Sequence, residues 1–454
     1  MNDFDLIIVG SGSGNAIPDH LSDWKIALVE RGTFGGTCLN VGCIPSKMFV
    51  LPADIAVAAR HGGPRLGIDT EFNGVDWPAI RDRVFGRIDP IAEGGREYRA
   101  TGTPNVELIT GTARFTGERT LDVDGRTITA PRILVATGAR PFIPEIEGLA
   151  DTPFHTSDTI MRLDSLPARL GIIGAGYIAV ELGHVFSAYG SAVTMFNRSG
   201  QMVRAEDAEI SQRFTEVFAD RVDFRPNAMP ERVSYADGEF TVEADDRAHT
   251  FDQVLVAVGR RPNSDLVAAT EGGLPLDEWG TIQVDDTMAT PVPGVWALGD
   301  VANSYQLKHL ANAEAKVAFW NMAHPDDQRR VDYRAVPHAI FSHPQVAGVG
   351  LTEAQAAEAG LDVVVGRRDY GGTAYGWALE DTTSFAKVLI ERGSGEIVGA
   401  HVIGPQAASI IQPLIQAIQF RQSAQQVAED VFYIHPALTE VIENALLDGL
   451  AQLT

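Results

Sequence analysis

The chain opens with a short apolar run, Phe4-Asp5-Leu6-Ile7-Ile8-Val9, that stops at Gly10. A run this brief, rich in branched residues and closed by glycine, predicts a strand buried on both faces of a parallel sheet. A glycine-rich turn, a short helical stretch and a second strand from Lys25 to Val29 follow. Leu170-Gly171-Ile172-Ile173 and Gly174-Ala175-Gly176 repeat the plan, with a second strand from Val193 to Phe196. The two units lie too far apart for a solenoid repeat, so they predict two separate nucleotide-binding folds.

Between them, 45–60 and 78–100 carry helical patterning, and short strands are expected near 106–115, 121–128 and 132–136. Beyond the second unit, 254–258 and 295–298 are short apolar strands. From about Tyr333 the pattern changes. Strands near 346–351, 363–367, 384–391 and 396–403 follow one another without helices between them, which predicts a mostly antiparallel sheet. Helices near 406–420, 423–430 and 436–450 close the chain. The expected fold class is α/β, with two Rossmann-like dinucleotide-binding domains plus a C-terminal α+β domain. The first domain is expected to take 1–149 and 266–332, the second 150–265, and the last 333–454.

Composition narrows the function classes. Lys and Arg total 36 against 60 Asp and Glu, a net charge of −24. Such a surface repels phosphate backbones and anionic membranes, so no nucleic-acid or membrane partner is expected. No unbroken apolar run reaches the ~18 residues of a spanning helix. Met1-Asn2-Asp3 leads straight into the first strand without a basic n-region, so no signal peptide and a cytoplasmic location are expected. The 2 cysteines, Cys38 and Cys43, are too few for a disulfide-stapled secreted fold.

Gly10-Ser11-Gly12-Ser13-Gly14-Asn15 sits between a strand and an expected helix, and Glu30 ends the next strand. This is the context of a dinucleotide fingerprint. Gly10 makes the tight turn, Gly12 admits the pyrophosphate to the backbone, the helix N-terminus supplies N–H dipoles, and Glu30 takes ribose hydroxyls. Asn15 replaces the usual third glycine and is expected to push the helix slightly off the strand. Gly174-Ala175-Gly176-Tyr177-Ile178-Ala179 is a second fingerprint. No acid follows its second strand at Asn197; Arg198 and Arg204 come instead, and the next acid is Glu206. Guanidinium groups pair with a 2′-phosphate where a carboxylate repels it, which favours NADPH over NADH. Two dinucleotides in one chain imply a hydride relay between a nicotinamide and a flavin. Asp300, at the carboxyl end of a strand, is placed to bind a ribitol hydroxyl.

Cys38-Leu39-Asn40-Val41-Gly42-Cys43-Ile44-Pro45 carries the candidate redox chemistry. Pro45 suits the first turn of a helix, so Cys43 is expected at or just before its N-terminus, where the dipole favours a thiolate. A short loop lets the two thiols close a disulfide reversibly. Two cysteines lack the ligands for a metal, and no histidine precedes His61, so no metal site is expected. Near the other end, His435-Pro436-Ala437-Leu438-Thr439-Glu440 opens a helix, with Glu440 placed just past its first turn. Glu440 can orient the imidazole and raise its basicity, a plausible acid–base partner for a thiol.

Together these residues resemble the flavin-dependent pyridine nucleotide–disulfide reductases over essentially the whole chain. The most specific elements are Gly35-Gly36-Thr37-Cys38-Leu39-Asn40-Val41-Gly42-Cys43, Ala136-Thr137-Gly138, Gly174 through Glu181, Gly299-Asp300 and His435-Pro436. The resemblance implies FAD and NADPH as cofactors, a homodimer with the active site shared between subunits, and reduction of a low-molecular-weight thiol disulfide. It assigns Cys43 to the thiolate beside the flavin and Cys38 to the thiol that attacks the substrate. His435, from the second subunit, protonates the leaving thiol, and Glu440 orients it. Tyr177 resembles the ring over the nicotinamide pocket, and Lys47 with Glu181 the ion pair beside the flavin.

Further cofactor contacts implied by the likeness fall on Gly14, Arg31, Gly36, Thr37 and Ala113. Others fall on Ala136, Thr137 and Gly138, on Lys308 and His309, and on Ile178 and Gly259. Leu307 through Glu314 departs from the Thr-Pro segment common near the flavin elsewhere. Residues 15–24 contain no Arg or Lys, unlike members that meet peptide carboxylates there. Stretches at 12–15, 305–309, 374–377 and 435–438 are most similar to members whose substrate carries a sugar–inositol body. An NAD-linked dihydrolipoamide dehydrogenase and a reductase of glutathione disulfide are the alternatives.

Overall fold

In the computed structural model, which describes residues 3–453, the apolar runs lie side by side as parallel strands. Leu6–Val9 is the centre of a five-stranded sheet between Ile133–Val135 and Ile26–Glu30, with Val295–Ala297 and Val106–Thr110 at the edges. Alternate side chains face opposite layers. Ile7, Val9, Ala27 and Val29 pack on the antiparallel strands Ala113–Gly117, Thr120–Val123 and Arg126–Thr129. Leu6, Ile8 and Leu28 meet Leu310, Ala315 and Phe319 of the helix Lys308–Ala323. Because Val295–Ala297 joins this sheet, the chain returns to the first unit after completing the second.

The second parallel sheet runs Asp223–Arg225, Ala192–Phe196, Arg169–Ile173, Gln253–Val256. The C-terminal sheet is antiparallel, in the order Pro337–Ile340, Val346–Gly350, Ile397–Ile403, Phe385–Glu391, Val363–Asp369. The fold is thus α/β with a C-terminal α+β unit.

Four expectations need revision. No α-helix links the first two strands; two 3-10 turns, Ser13–Asn15 and Asp19–Leu21, take its place. Pro18 lacks the N–H that a continuing helix needs, and Arg99 holds both the side chain and the carbonyl of Asn15, at 2.7 and 2.9 Å. Short helices, Glu353–Glu358 and Ala374–Ala378, do interrupt the C-terminal strands. They are below two turns, too short for a periodic signal, although Thr352 and Gln355 form a legible capping box. The last helix begins at Glu440, because 437–440 is a tight turn closed by Glu440 N–H to the Ala437 carbonyl. Finally, the helical run Gly36–Arg65 is long and apolar enough to cross a membrane, although no unbroken apolar stretch announced it. Its inner residues Phe49, Val50, Ala53 and Val57 are buried in a core shared with the helix Tyr177–Tyr189.

Trp77 seals that core. It is 2 % exposed, stacks on Phe49 at 5.3 Å, lies 5.5 Å from Phe186 and donates its indole N–H to the Leu163 carbonyl at 2.7 Å. Trp77→Ala is expected to cost about 3–5 kcal/mol of stability through the cavity it leaves. Thermal and denaturant unfolding check this; a loss under ~1 kcal/mol would show that the junction closes over the gap.

Candidate active site

The first glycine turn is shaped by close backbone approach. Gly10 has φ 105°, and a Cβ there would strike the Ala136 carbonyl. Gly36 has φ 73°, and a Cβ there would stand 2.8 Å from the Gly12 Cα. Two glycine-bearing loops therefore cross backbone to backbone. Ser11, which the sequence did not single out, fastens the crossing. It donates to Glu30 Oε2 from its N–H at 2.9 Å and from its hydroxyl at 2.7 Å, while its Oγ accepts from Gly35 N–H at 2.8 Å. Gly32 N–H donates to Glu30 Oε1 at 2.8 Å. Glu30 keeps lone pairs for ribose hydroxyls. Asn15 faces Arg99 rather than the turn. Lys308 Nζ donates to Ser13 Oγ at 2.9 Å, bringing the start of its helix against the turn.

Two polar groups beside this crossing lack a close partner. Thr137 Oγ1 is buried with no hydrogen bond. The Asp300 carboxylate lies 3.9 Å from Arg260; burial pushes its pKa up, against the pull of that arginine and of Lys308. A glycine cradle with an orphaned hydroxyl and an unsaturated carboxylate fits a hydroxyl-rich dinucleotide, as FAD is. The remaining expected contacts are scattered. Gly138 (φ 64°) and Gly259 (φ 145°) are in left-handed backbone, Ala113 is buried in its strand, and Arg31 and Thr37 are exposed. His309 Nε2 lies 2.8 Å from the Pro337 carbonyl, so that nitrogen is engaged away from the turn.

Cys38 sits in a short helix, Gly36–Asn40, and not in the expected loop. Asn40 secures it, donating to the Phe34 and Gly36 carbonyls at 2.9 and 3.0 Å. Cys43 is the first residue of Cys43–Val57, with Gly42 as N-cap. A Cβ at Gly42 would lie 2.9 Å from the Thr37 carbonyl, so glycine lets the chain bring Cys43 back beside Cys38. The pair is asymmetric. The hydrogen bond from Cys38 lowers the Cys43 pKa to about 7, with help from Lys47 and against burial. The same hydrogen bond and burial push Cys38 well above the ordinary thiol range. One sulfur is prepared as a thiolate while its neighbour keeps the proton.

Lys47 lies on the same helix and reaches both oxygens of Glu181 at 2.8 and 2.7 Å. Glu181 comes from the second fingerprint helix, its side chain 7 % exposed, and also accepts from Phe341 N–H at 2.8 Å. At the second fingerprint, Gly174 (φ 118°) turns against the Ala257 carbonyl, Gly176 has open space where a Cβ would stand, and Tyr177 is exposed. Ile178 packs partly into the core. Asn197 shapes the next loop through Ser199 and Gln201. Val203 N–H donates to the Ala175 carbonyl at 2.9 Å, folding that loop over the glycine turn. Arg198 and Arg204 are exposed and have no hydrogen-bond or ion-pair partner among the described residues, which suits a phosphate ligand.

His435 Nδ1 lies 2.7 Å from Glu440 Oε1, with the imidazole 73 % exposed and the carboxylate 15 %. Neither residue hydrogen-bonds to Cys38 or Cys43 within one chain. Phe432 and Ile434, on the approach to His435, are exposed as well. Spacing revealed the cysteines and glycines. It did not reveal Ser11, Arg99 or Arg260, whose partners lie far off in sequence.

A family model described as pyridine nucleotide-disulphide oxidoreductase matches residues 4–315, and the dimerisation domain of the same family matches 336–446. A mycothione reductase of Mycobacterium tuberculosis is 44 % identical, over 98 % of this chain and 99 % of its own. A mercuric reductase of Acidithiobacillus ferrooxidans is 34 % identical, over 92 % of this chain and 76 % of its own. Among solved structures, the HOCl-induced flavoprotein disulfide reductase RclA of Escherichia coli superposes with a TM-score of 0.85 at 26 % identity, covering 99 % of this chain and 100 % of that one.

The thiol asymmetry is testable in the reduced protein. Cys43 alkylation should rise with pH through a midpoint near 7, as the thiolate forms. Cys38→Ala removes the largest cause and should move that midpoint upward, toward an ordinary thiol; Lys47→Met should move it the same way by less. Unchanged midpoints in both variants would show that neither group sets the Cys43 acidity.

Proposed function

The chain belongs to the pyridine nucleotide-disulphide oxidoreductase family, and within it we propose an NADPH-dependent flavoenzyme that reduces mycothione, the disulfide of mycothiol. The observation that carries the reading is the asymmetric Cys38–Cys43 pair, set where the two dinucleotide units meet. FAD, when bound, supplies a relay that takes an electron pair from NADPH and delivers it to the Cys38–Cys43 disulfide.

The chain's own residues then perform the exchange. Cys38 passes its proton to His435 of the partner subunit as its Sγ bonds to one sulfur of the substrate, and the other sulfur leaves as a thiolate. His435 of the partner subunit gives that thiolate its proton, while Glu440 holds the imidazole through Nδ1. Cys43, already the more acidic thiol, attacks Cys38 Sγ, releases the second thiol and closes the internal disulfide. The exposure of His435 and its separation from the cysteines within one chain support a site completed by the second subunit. We place the work in the cytoplasm, where a reductant such as NADPH keeps low-mass thiols reduced.

Substrate choice rests on the neighbourhood of the first turn. Residues 15–24 hold no Arg or Lys, and Arg99 and Lys308, which reach the turn, are engaged by Asn15 and Ser13, so this segment itself offers no cation to the two carboxylates of a peptide disulfide. A sugar–inositol body presents neutral hydroxyls instead, which short polar groups and water can meet. The 44 % identity to a mycothione reductase supports the same substrate.

Turnover with NADPH should be highest for mycothione among mycothione, glutathione disulfide and lipoamide at matched concentrations. Comparable efficiency with glutathione disulfide would overturn the substrate and leave the exchange chemistry standing; preference for lipoamide with NADH would favour a dihydrolipoamide dehydrogenase. The shared site has its own test. Chains bearing His435→Ala, mixed with chains bearing Cys38→Ser, should regain part of the activity that each homodimer lacks. Verified heterodimers without any recovery would place both groups in one chain.

A further inference from the structure

The C-terminal sheet carries a lateral row that the exchange chemistry does not use. The strand register pairs His338 with Gly348, Gly348 with His401, His401 with Lys387, and Lys387 with Arg367. Side chains in such a row share one face of the sheet, so four basic groups cross it with a glycine in second place. A Cβ at Gly348 would lie 2.6 Å from the His338 ring, so glycine makes the room that ring occupies.

Facing the row is the acidic stretch that starts helix Ala208–Ala219 of the second nucleotide unit. Glu206 Oε2 meets His338 Nε2 at 2.7 Å, Asp207 Oδ1 meets Lys387 Nζ at 2.7 Å, and Glu209 Oε1 meets Arg367 Nε at 2.8 Å. Glu353 also pairs with Lys387. Glu206 follows Arg204 by two residues. Just before Arg204 the chain is held by Val203, whose φ of 44° is a strained backbone for a branched side chain. Bonds from Val203 N–H to the Ala175 carbonyl and from Glu206 N–H to the Val203 carbonyl, both 2.9 Å, fix it there. The loop that presents Arg204 is therefore pinned at one end to the glycine turn and at the other to the C-terminal sheet.

We propose that His338 is a positioning residue for cofactor specificity: by pairing with Glu206 it cancels the carboxylate that follows Arg204, at the end of the loop that receives the 2′-phosphate of NADPH. This rests on the assignment of NADPH to the second fingerprint.

The device is sensitive to pH. Burial lowers the proton affinity of His338, but the hydrogen bond and charge of Glu206 outweigh it, and its pKa lies above the ordinary histidine value. The other imidazole of the row, His401, is held below that value by burial and lies 3.0 Å from the Leu351 carbonyl. Asp207 is matched by Lys387. His338 is thus the group of the row that changes charge near neutral pH. Protonated, it cancels Glu206. As pH rises through its raised pKa the cancellation is lost, the carboxylate stays, and a 2′-phosphate is repelled.

The test is calorimetric binding of adenosine 2′,5′-bisphosphate and of 5′-AMP to the FAD-loaded dimer, from about pH 6 to about pH 9. His338→Ala should weaken the bisphosphate roughly three- to tenfold at the acid end, the size expected of one added charge a few ångströms beyond contact near a surface. Binding of 5′-AMP should not change. Glu206→Gln should bind the bisphosphate at least as well as wild type and should lose the alkaline weakening that wild type shows beyond the phosphate's own titration. Glu206→Gln combined with His338→Ala should recover the affinity lost in His338→Ala, although the ion pair is still absent. Equal weakening of both nucleotides, or no recovery in the double variant, would overturn the proposal. Arg198→Ala with Arg204→Ala separates the premise from the inference: if that variant weakens both nucleotides alike, the 2′-phosphate assignment itself fails.

Discussion

Everything at the centre of the molecule turns on one carboxylate. Glu181 receives Lys47 from the cysteine helix and the Phe341 N–H from the C-terminal unit, and it is itself carried by the second fingerprint helix. Three parts of the chain are tied at a side chain that is 7 % exposed. An ion pair with one buried member contributes little net stability, but removing Lys47 leaves the buried Glu181 charge stranded, so its geometry is enforced. The enforcement matters because both charges also act on Cys43. Lys47 lowers the thiol pKa and Glu181 raises it. The pair therefore fixes where the domains meet and moderates how acidic the reacting sulfur is.

The same logic explains which features could be read from sequence. Gly10 and Gly174 were legible because each ends a strand in a tight turn, where φ of 105° and 118° leaves glycine as the residue that fits. Cys38, Cys43, His435 and Glu440 were legible because spacing alone brings each pair together. The failures are cases where a side-chain partner, often a distant one, decided the outcome. The first fingerprint reads as strand, turn and helix, yet Arg99, 84 residues away, captures Asn15 and the helix does not form. Cys38 reads as a loop residue, but Asn40 curls the segment into a helix by bonding back to Phe34 and Gly36. Glu206 reads as an acid too far along to matter, until His338, 132 residues on, shows how its charge is handled. Local patterning predicts local geometry; it has no access to partners chosen by the tertiary fold.

The His435–Glu440 pair shows a different limit. Its own geometry is complete, with Nδ1 and Oε1 2.7 Å apart, but its chemistry is not, because the sulfurs it would serve are elsewhere. The exposed apolar side chains beside it, Phe432 and Ile434, lie at a surface that a second copy of the chain has reason to cover, since burying them in water-free contact is favourable. Under the proposed exchange, the association that hides these side chains also brings His435 to the cysteine pair of the second copy. Stability of the dimer and completion of the active site then become one event.

The net charge of −24 sets the last problem, since both dinucleotides are anions. A protein with 60 acids and 36 bases would, on average, repel its own cofactors. The answer lies in arrangement rather than in total charge. Arginines such as Arg140, Arg162 and Arg169 are matched to carboxylates, which leaves little local field around them. The loop from Asn197 to Ala205 contains no acid, holds two exposed arginines, and ends at a carboxylate already paired with an imidazole. The first fingerprint works the same way with less charge: its one acid, Glu30, is turned toward Ser11 and Gly32 N–H groups, and Lys308 stands at the turn. Screening at physiological ionic strength confines electrostatic influence to about 8 Å, so a site needs only its immediate neighbours to be favourable. Anion binding survives in an acidic protein because the carboxylates that end these two loops, Glu30 and Glu206, have been given other partners.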